Sequence, residues 1–259
     1  MNRVETLSNE NKIVASVGGS VLFEKYCLSR SLKDISLLLR GKDINPVKYD
    51  SVLVYGLIGI CNELIEDKKS TFLIVGGGNI ARWRIEDARS YGNPKSDEQL
   101  DLVGKDTSET NASELLAIFE RMGVKASWNS RHKWGIRRAV GVYIRGGTEP
   151  CQTTDMVSMQ VAVAEGAKFV VNVSNTPGVH PVSKNGGLKT SDIIESMSYD
   201  DYLSMFDLGH RPGKNSPFET QAAKLAKENG ITTILVGNDL ENLNKLIHGE
   251  EFVGTVLSK

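Results

Sequence analysis

Residues 71–79 read Thr-Phe-Leu-Ile-Val-Gly-Gly-Gly-Asn, an apolar, β-rich run that ends in three consecutive glycines. Residues 12–20 repeat the pattern, because Lys-Ile-Val-Ala-Ser-Val precedes Gly-Gly-Ser. A third glycine turn, Gly146 and Gly147, follows the apolar run at residues 139–144 and leads into Thr148. Glycine lets backbone N–H groups approach an anion closely, and a helix after such a turn directs its positive end at that anion. Three such turns predict a chain that holds several phosphates at once.

Apolar runs typical of strands alternate with stretches whose apolar residues recur at helical spacing. Predicted strands cover residues 12–17, 71–75, 139–144, 168–173 and 232–236. Predicted helices cover residues 47–67, 80–90, 111–122, 155–165 and 218–229, and residues 242–248 and 254–257 close the chain. The alternation predicts an α/β fold, a three-layer αβα sandwich with a mainly parallel central sheet. Ligands bind such sheets beyond the carboxyl ends of the strands, where all three glycine turns fall.

Composition excludes several classes of protein. The chain has 259 residues, with 40% hydrophobic and 24% charged residues, which suits one globular domain over residues 1–259. A formal net charge of −1 gives no bulk attraction to nucleic acid or to a membrane surface. No apolar run is long enough to span a bilayer, and the polar N-terminus does not resemble a signal peptide. We therefore expect neither nucleic acid nor a membrane as a partner.

The cysteines and histidines indicate no metal centre and no disulfide framework. Three cysteines, Cys27, Cys61 and Cys151, lie far apart in the sequence, and the four histidines share no metal-ligand spacing. A reducing cytoplasm is the expected location. Cys151 lies beside the third glycine turn, but a catalytic thiol needs a base, and no histidine neighbours it in sequence. We do not expect it to act as a nucleophile.

The sequence fits two common nucleotide-binding motifs poorly. Gly104-Lys105 is followed by Asp106 instead of a serine or threonine for magnesium, so a Walker motif is not present. Residues 76–81 match the dinucleotide fingerprint, Gly-x-Gly-x-x-Ala, after a strand and before a helix. Its acidic partner would be Asp97 or Glu98, which lie in a predicted loop instead of at the end of a second strand. A nicotinamide cofactor is therefore disfavoured.

The segment after the third glycine turn carries the most specific group of polar residues. Thr153 and Thr154 offer hydroxyl groups to a phosphate. Asp155 opens a predicted helix, where it would either cap the N-terminus or organise the charges around a transferring phosphoryl group. Arg82 lies one helical turn beyond Gly78, and arginine suits bidentate phosphate contacts.

These motifs, in this order, resemble the amino acid kinase superfamily, and most closely its archaeal-type uridylate (UMP) kinases. The similarity runs from Lys12 to about Thr255. It includes residues 17–22, 75–82, 100–104 with 111–112, 146–155, and 173–179. The resemblance implies the amino acid kinase fold, with mainly acceptor binding up to about residue 165 and mainly ATP binding beyond it. It also implies ATP and Mg²⁺ as cofactors and a homo-oligomer, a hexamer.

Site residues carried over from the family pattern fall into three groups. On the ATP side the resemblance places Gly18, Gly19, Ser20, Gly78, Arg82, Ser174, Asn175 and His180. On the UMP side it places Gly77, Asp101, Gly147, Thr148, Thr153 and Thr154. Asp155, with Arg82, would serve the reacting centre, and no residue is assigned as a direct metal ligand.

The sequence departs from the family pattern mainly where the donor nucleotide would bind. Pro177 stands where the family has aspartate, His180 replaces tyrosine, and Ser183-Lys184 replaces Asp-Pro. Glu219-Thr220 stands in place of another Asp-Pro, and Ser16 replaces the usual lysine or aspartate. Proline removes a backbone donor and fixes φ, so this turn differs from that of the relatives.

The resemblance and the glycine turns together favour a nucleoside monophosphate kinase that converts UMP and ATP to UDP and ADP. One alternative is a kinase of another small carboxylate or phosphate, such as carbamate or an amino-acid carboxyl group. Another is a non-catalytic nucleotide or oxyanion binder whose donor site has degenerated.

Overall fold

The computed structural model describes residues 9–23, 49–90, 96–136, 139–181, 193–206 and 216–259. Cys27, Ser183, Lys184, His210 and the predicted loop at 40–46 lie outside these ranges, as does most of the predicted loop at 209–217. The strands within these ranges are β1 (Lys12–Val17), β2 (Ser70–Val75), β3 (Ala126–Trp128), β4 (Val142–Arg145), β5 (Phe169–Ser174), β6 (Ser196–Ser198), β7 (Thr232–Gly237) and β8 (Gly254–Ser258).

The α-helices of the described part occur between these strands. They are α1 (Gly19–Leu22), α2 (Ser51–Glu66), α3 (Gly78–Ser90), α4 (Asp97–Arg121), α5 (Thr154–Glu165), α6 (Tyr199–Phe206), α7 (Thr220–Asn229) and α8 (Leu240–Ile247). None of the helices described is both long and apolar enough to cross a membrane.

The strands form one sheet in the order β3-β4-β2-β1-β5-β7-β8-β6. Pairing is parallel from β3 through β7, and β8 then runs antiparallel to β7. Alternate residues of each strand face opposite sides: Ile13 packs on the side of α2, α4 and α8, whereas Val14 packs on the side of α5, α6 and α7. Each side has its own apolar core, which confirms the three-layer αβα architecture with a mainly parallel sheet.

Helix α4 is longer than predicted. Its first residue is Asp97, not residue 111, because Ser96 and Gln99 form a capping box: the Ser96 side chain accepts from the Gln99 N–H, and the Gln99 side chain accepts from the Ser96 N–H. Asp97 and Glu98 therefore form the first turn of a helix and do not lie in a loop. Strands β3, β6 and β8 and helices α1, α6 and α8 were not predicted as such.

Candidate active site

The first and second glycine turns are in backbone contact. A Cβ atom at Gly19 would lie 2.3 Å from Gly76 O, and a Cβ atom at Gly78 would lie 2.3 Å from Gly19 C. Gly78 also has a φ of +59°, in the left-handed region that favours glycine. The chains after β1 and β2 thus come together only because neither turn carries a side chain at these points.

Helix α4 connects the second turn to the third. The Asn111 side chain donates to Gly76 O at 2.8 Å, and the Ser108 hydroxyl accepts from the Gly147 N–H at 2.8 Å. A Cβ atom at Gly146 would lie 2.4 Å from Glu109 N, so this turn rests directly on the helix backbone. The second and third turns therefore contact α4, and the first turn contacts the second, so all three lie together at the carboxyl ends of the strands.

Ser20 is the centre of contacts between the first turn and its neighbours. Its hydroxyl accepts from Arg82 Nη2 at 2.7 Å, and its carbonyl accepts from Asn175 Nδ2 at 3.3 Å. Arg82 also donates to Asn79, while Gly18 N donates to Val173 O at 3.0 Å. The exposed guanidinium of Arg82 and the side chain of Asn175 are therefore brought to the first turn from α3 and from the end of β5.

The third turn and the start of α5 bring together the predicted acceptor residues. Thr148 donates to Gln152 Oε1 at 2.6 Å. Thr153 is the N-cap of α5, because its hydroxyl accepts from Met156 N at 3.2 Å, and Thr154 is the first helical residue. On the opposite side, Asp101 of α4 accepts from the Cys151 thiol at 2.9 Å.

Two of the predicted glycines are held by packing in this structure. The Gly147 amide is already bonded to Ser108. A Cβ atom at Gly77 would lie 2.5 Å from the Ala81 Cβ and 3.3 Å from Gly104 O, so a larger residue there would disturb α3 against α4. Glycine at these two positions therefore shapes the cradle.

Asp155 does not cap α5, because Thr153 does. Its partly buried carboxylate instead accepts hydrogen bonds from Ser16 Oγ at 3.2 Å, Asn172 Nδ2 at 3.0 Å and Glu219 N at 3.0 Å. Burial raises the pKa of Asp155 to about 6, and the Glu219 carboxylate contributes to the increase, whereas the hydrogen bonds oppose it. The carboxylate thus joins β1, β5 and the start of α7 behind the turns.

The Cys151 thiol donates its hydrogen bond to a carboxylate, Asp101. Its hydrogen bond to Asp101 is the largest cause of a raised pKa, and the thiolate is the nucleophilic form of cysteine. Its φ of +60° is unusual for a residue with a side chain. The raised pKa agrees with the expectation that this thiol is not a nucleophile.

Comparison with known proteins shows relatives over nearly the whole length. No protein-family model matches the chain. A uridylate kinase of Methanobrevibacter smithii is 26% identical over 251 residues, covering 96% of this chain and all of the relative. A uridylate kinase of Ignicoccus hospitalis is 29% identical over 233 residues, 87% of this chain and 99% of the relative.

Among solved structures, the uridylate kinase of Archaeoglobus fulgidus matches with a TM-score of 0.64 at 25% identity, covering 95% of this chain and 100% of that one. This chain is similar to uridylate kinases over nearly its whole length and has their fold. A UMP kinase of Bacillus anthracis, 13% identical with a TM-score of 0.69 and 96% coverage of both chains, shows the same fold.

The segment after β5 contains Pro177 and His180, two of the departures from the pattern of the uridylate kinases. Ser174 and Thr176 form a local turn, in which Ser174 Oγ donates to Thr176 O at 2.9 Å and accepts from Thr176 N. Beyond Pro177, the chain docks on β8 through Val179 N, which donates to Thr255 Oγ1 at 2.7 Å. His180 follows this anchored residue, and its role toward a nucleotide remains a prediction.

Several residues that build this candidate site were not predicted to do so. Ser108 and Asn172 look like ordinary helix and strand residues in the sequence, and Arg145 ends a buried strand. Ser16 and Glu219 were noted only as departures from the family pattern. Their common feature is contact with another segment far away in the chain, which local patterns do not reveal.

Proposed function

We propose that this chain is a nucleoside monophosphate kinase that transfers the γ-phosphoryl group of ATP to UMP, giving UDP and ADP. The observation that carries the proposal is the backbone contact between the first and second glycine turns at Gly19 and Gly76. With the third turn tied to them through α4, these turns offer adjoining anion sites. The full-length similarity to uridylate kinases supports UMP as the acceptor.

The proposed donor site surrounds the first turn. Ser20 contacts both Arg82 and Asn175, so a phosphate near the first turn would meet amide groups and a guanidinium together. We assign to ATP the residues Gly18, Gly19, Ser20, Gly78, Arg82, Ser174, Asn175 and His180.

The proposed acceptor site lies between α4 and the start of α5. Asp101 would hold the ribose, and the threonine hydroxyls would face the phosphate at the N-terminus of a 12-residue helix. We assign to UMP the residues Gly77, Asp101, Gly147, Thr148, Thr153 and Thr154.

Catalysis would rest on position and charge, with no protein nucleophile. The acceptor phosphate oxygen would attack the γ-phosphorus in line while ADP leaves. Arg82 would stabilise negative charge on the phosphoryl oxygens, and Asp155 would hold β1, β5 and α7 in register around the reacting groups.

The carboxylates fit Mg²⁺ that arrives with the nucleotide. Magnesium in kinases is usually held by one or two carboxylates together with substrate phosphates. Asp155 and Glu219 supply such a pair, because the Glu219 N–H donates to Asp155 and the Glu219 carboxylate contributes to the raised pKa of Asp155. A cation between them would offset this repulsion. The described residues contain no cluster of three or more potential ligands for a resident metal. When bound, the ion neutralises phosphate charge.

The test is phosphoryl transfer from ATP-Mg to UMP, CMP and carbamate under identical conditions, with Asp155→Asn as the matched variant. We expect UDP as the main product, and turnover at least about a hundredfold lower in the variant. Preferred turnover of carbamate would contradict the assignment. Calorimetric binding of UMP without any binding of ATP would instead indicate a non-catalytic binder.

We also propose that the chain forms a homo-oligomer, a hexamer by resemblance. Helix α2 supports an assembly, because Val52 and Tyr55 lie three residues apart on its surface and are 72% and 55% exposed. Light scattering after size-exclusion chromatography measures the mass directly, and a monomeric mass would contradict the proposal.

A further inference from the structure

Arg145, the last residue of β4, is a buried cation that is not among the residues assigned to ATP, to UMP or to the reacting centre. Only 5% of its surface is exposed, although it directly precedes the third glycine turn. A buried charge is costly unless it is well hydrogen-bonded. The contacts that hold this guanidinium therefore indicate what it does.

Three backbone carbonyls accept hydrogen bonds from the Arg145 side chain. Nε donates to Gly146 O at 3.1 Å, Nη2 donates to Gly147 O at 3.3 Å, and Nη1 donates to Asn129 O at 3.0 Å. The guanidinium carbon also lies over the Trp134 ring, 5.2 Å from the ring centre. Two of the three carbonyls belong to the turn itself.

These contacts set the direction of two peptide groups. In a trans peptide, the C=O and the following N–H point in opposite directions, and the described residues contain no cis peptide. Because Arg145 holds the carbonyls of Gly146 and Gly147, the N–H groups of Gly147 and Thr148 point away from it. The Gly147 N–H donates to the Ser108 hydroxyl, and the Thr148 N–H points away from the Arg145 side chain.

The same side chain places a permanent positive charge behind the turn. Arginine stays protonated in proteins, even where burial lowers its pKa as it does for Arg145, and the nearby Glu109 opposes that effect. A phosphate in front of the turn would interact with this charge across protein instead of water, where charge interactions are stronger.

We propose that Arg145 is a positioning residue for the acceptor phosphate: it orients the peptide groups of the third turn and supplies positive charge behind them. The identity of the acceptor as a nucleoside monophosphate rests on the proposed function. Arg145 itself acts through the turn and does not touch the substrate.

The experiment compares Arg145→Met, which removes charge and donors, with Arg145→Lys, which keeps the charge but not the three-carbonyl contact. Arg131→Met is the matched control, because Arg131 is an exposed arginine that pairs with Glu149. Calorimetry measures the affinity of each variant for UMP, uridine and ATP. We expect UMP affinity to fall about tenfold or more in Arg145→Met and severalfold in Arg145→Lys. Uridine and ATP affinities should change less than about twofold, and the control should resemble the wild type.

Two results would overturn this proposal. One is unchanged UMP affinity in a folded Arg145 variant, and the other is an equal loss for UMP, uridine and ATP, which would indicate general structural support. If Arg145→Met does not fold, the proposal is tested with Arg145→Lys, by the same comparison of the affinities for UMP, uridine and ATP. A wild-type chain that binds UMP but never phosphorylates it would refute the proposed function alone, since the ratio of UMP to uridine affinity would still be measurable.

Discussion

Replacing Asp155 with asparagine should change the pH dependence of stability as well as the activity. The carboxylate is partly buried beside Glu219, and burial is the largest cause of the rise of its pKa from 3.8 to about 6. Asparagine has nearly the same shape but carries no charge. The variant therefore isolates the energetic effect of holding a carboxylate behind the glycine turns.

The direction in which the free energy of unfolding changes with pH follows from proton binding. A carboxyl group whose pKa is higher in the folded chain than in the unfolded chain keeps its proton longer in the folded state. Between about pH 4 and pH 6 the folded protein binds more protons, so its free energy of unfolding decreases as the pH rises through this range. A rise of the pKa from 3.8 to about 6 lowers the free energy of unfolding by up to about 3 kcal/mol by pH 7.

Urea unfolding of wild type and Asp155→Asn, repeated from about pH 4 to pH 8, measures this effect. The free energy of unfolding of the variant minus that of wild type should increase by up to about 3 kcal/mol across the range. The hydrogen bonds from Ser16 and Asn172 favour the charged carboxylate, and the pKa of about 6 already includes their effect. Exposed Glu228→Gln is the matched control and should give a flat difference. A flat difference for Asp155→Asn would refute the reasoning.

Three further substitutions test other parts of the structure. Gly19→Ala would place a Cβ atom 2.3 Å from Gly76 O, so we expect the affinity for ATP to fall at least about tenfold. The control is Gly59→Ala, in open space on α2, which should be stable and fully active. Equal behaviour of the two variants would contradict the contact between the turns. Thr71→Val removes a buried hydroxyl that has no partner among the described residues, so the free energy of unfolding, measured by thermal unfolding, should rise by about 1 kcal/mol. A lower free energy of unfolding would indicate that the hydroxyl has a partner. Cys151→Ala should retain turnover, and iodoacetamide should modify the wild-type thiol slowly at neutral pH because its pKa is raised. Loss of turnover in Cys151→Ala would indicate that the thiol acts as a nucleophile.

Much of the fold was predictable because the sequence has strong local signals. The bounds of β1 agree with the prediction, since a continuous apolar run stops at Gly18. Helix α4 was predicted too short, because its first half is polar and contains Gly104, so the capping box at Ser96 was the only clear sign of its beginning. Strands β3 and β6 have three residues each, too few to show alternation.

The candidate site was predictable only where one segment carries the whole pattern. Glycine turns have such a pattern, and the structure brings them together. The environment of Asp155 could not be predicted, because Ser16, Asn172 and Glu219 come from three distant segments that meet only through the order of the sheet. Arg145 likewise has no local signal, since its partners become visible only when the third turn is folded over it.

The most direct test of two adjoining nucleotide sites is calorimetric titration with a bisubstrate analogue in which a phosphate chain joins adenosine to uridine. We expect one analogue bound per chain, more tightly than ATP or UMP, because linking two ligands removes much of the entropic cost of binding the second. Excess ATP and excess UMP should each displace it. An analogue displaced by only one of the two nucleotides would contradict a shared cradle in which their phosphates meet.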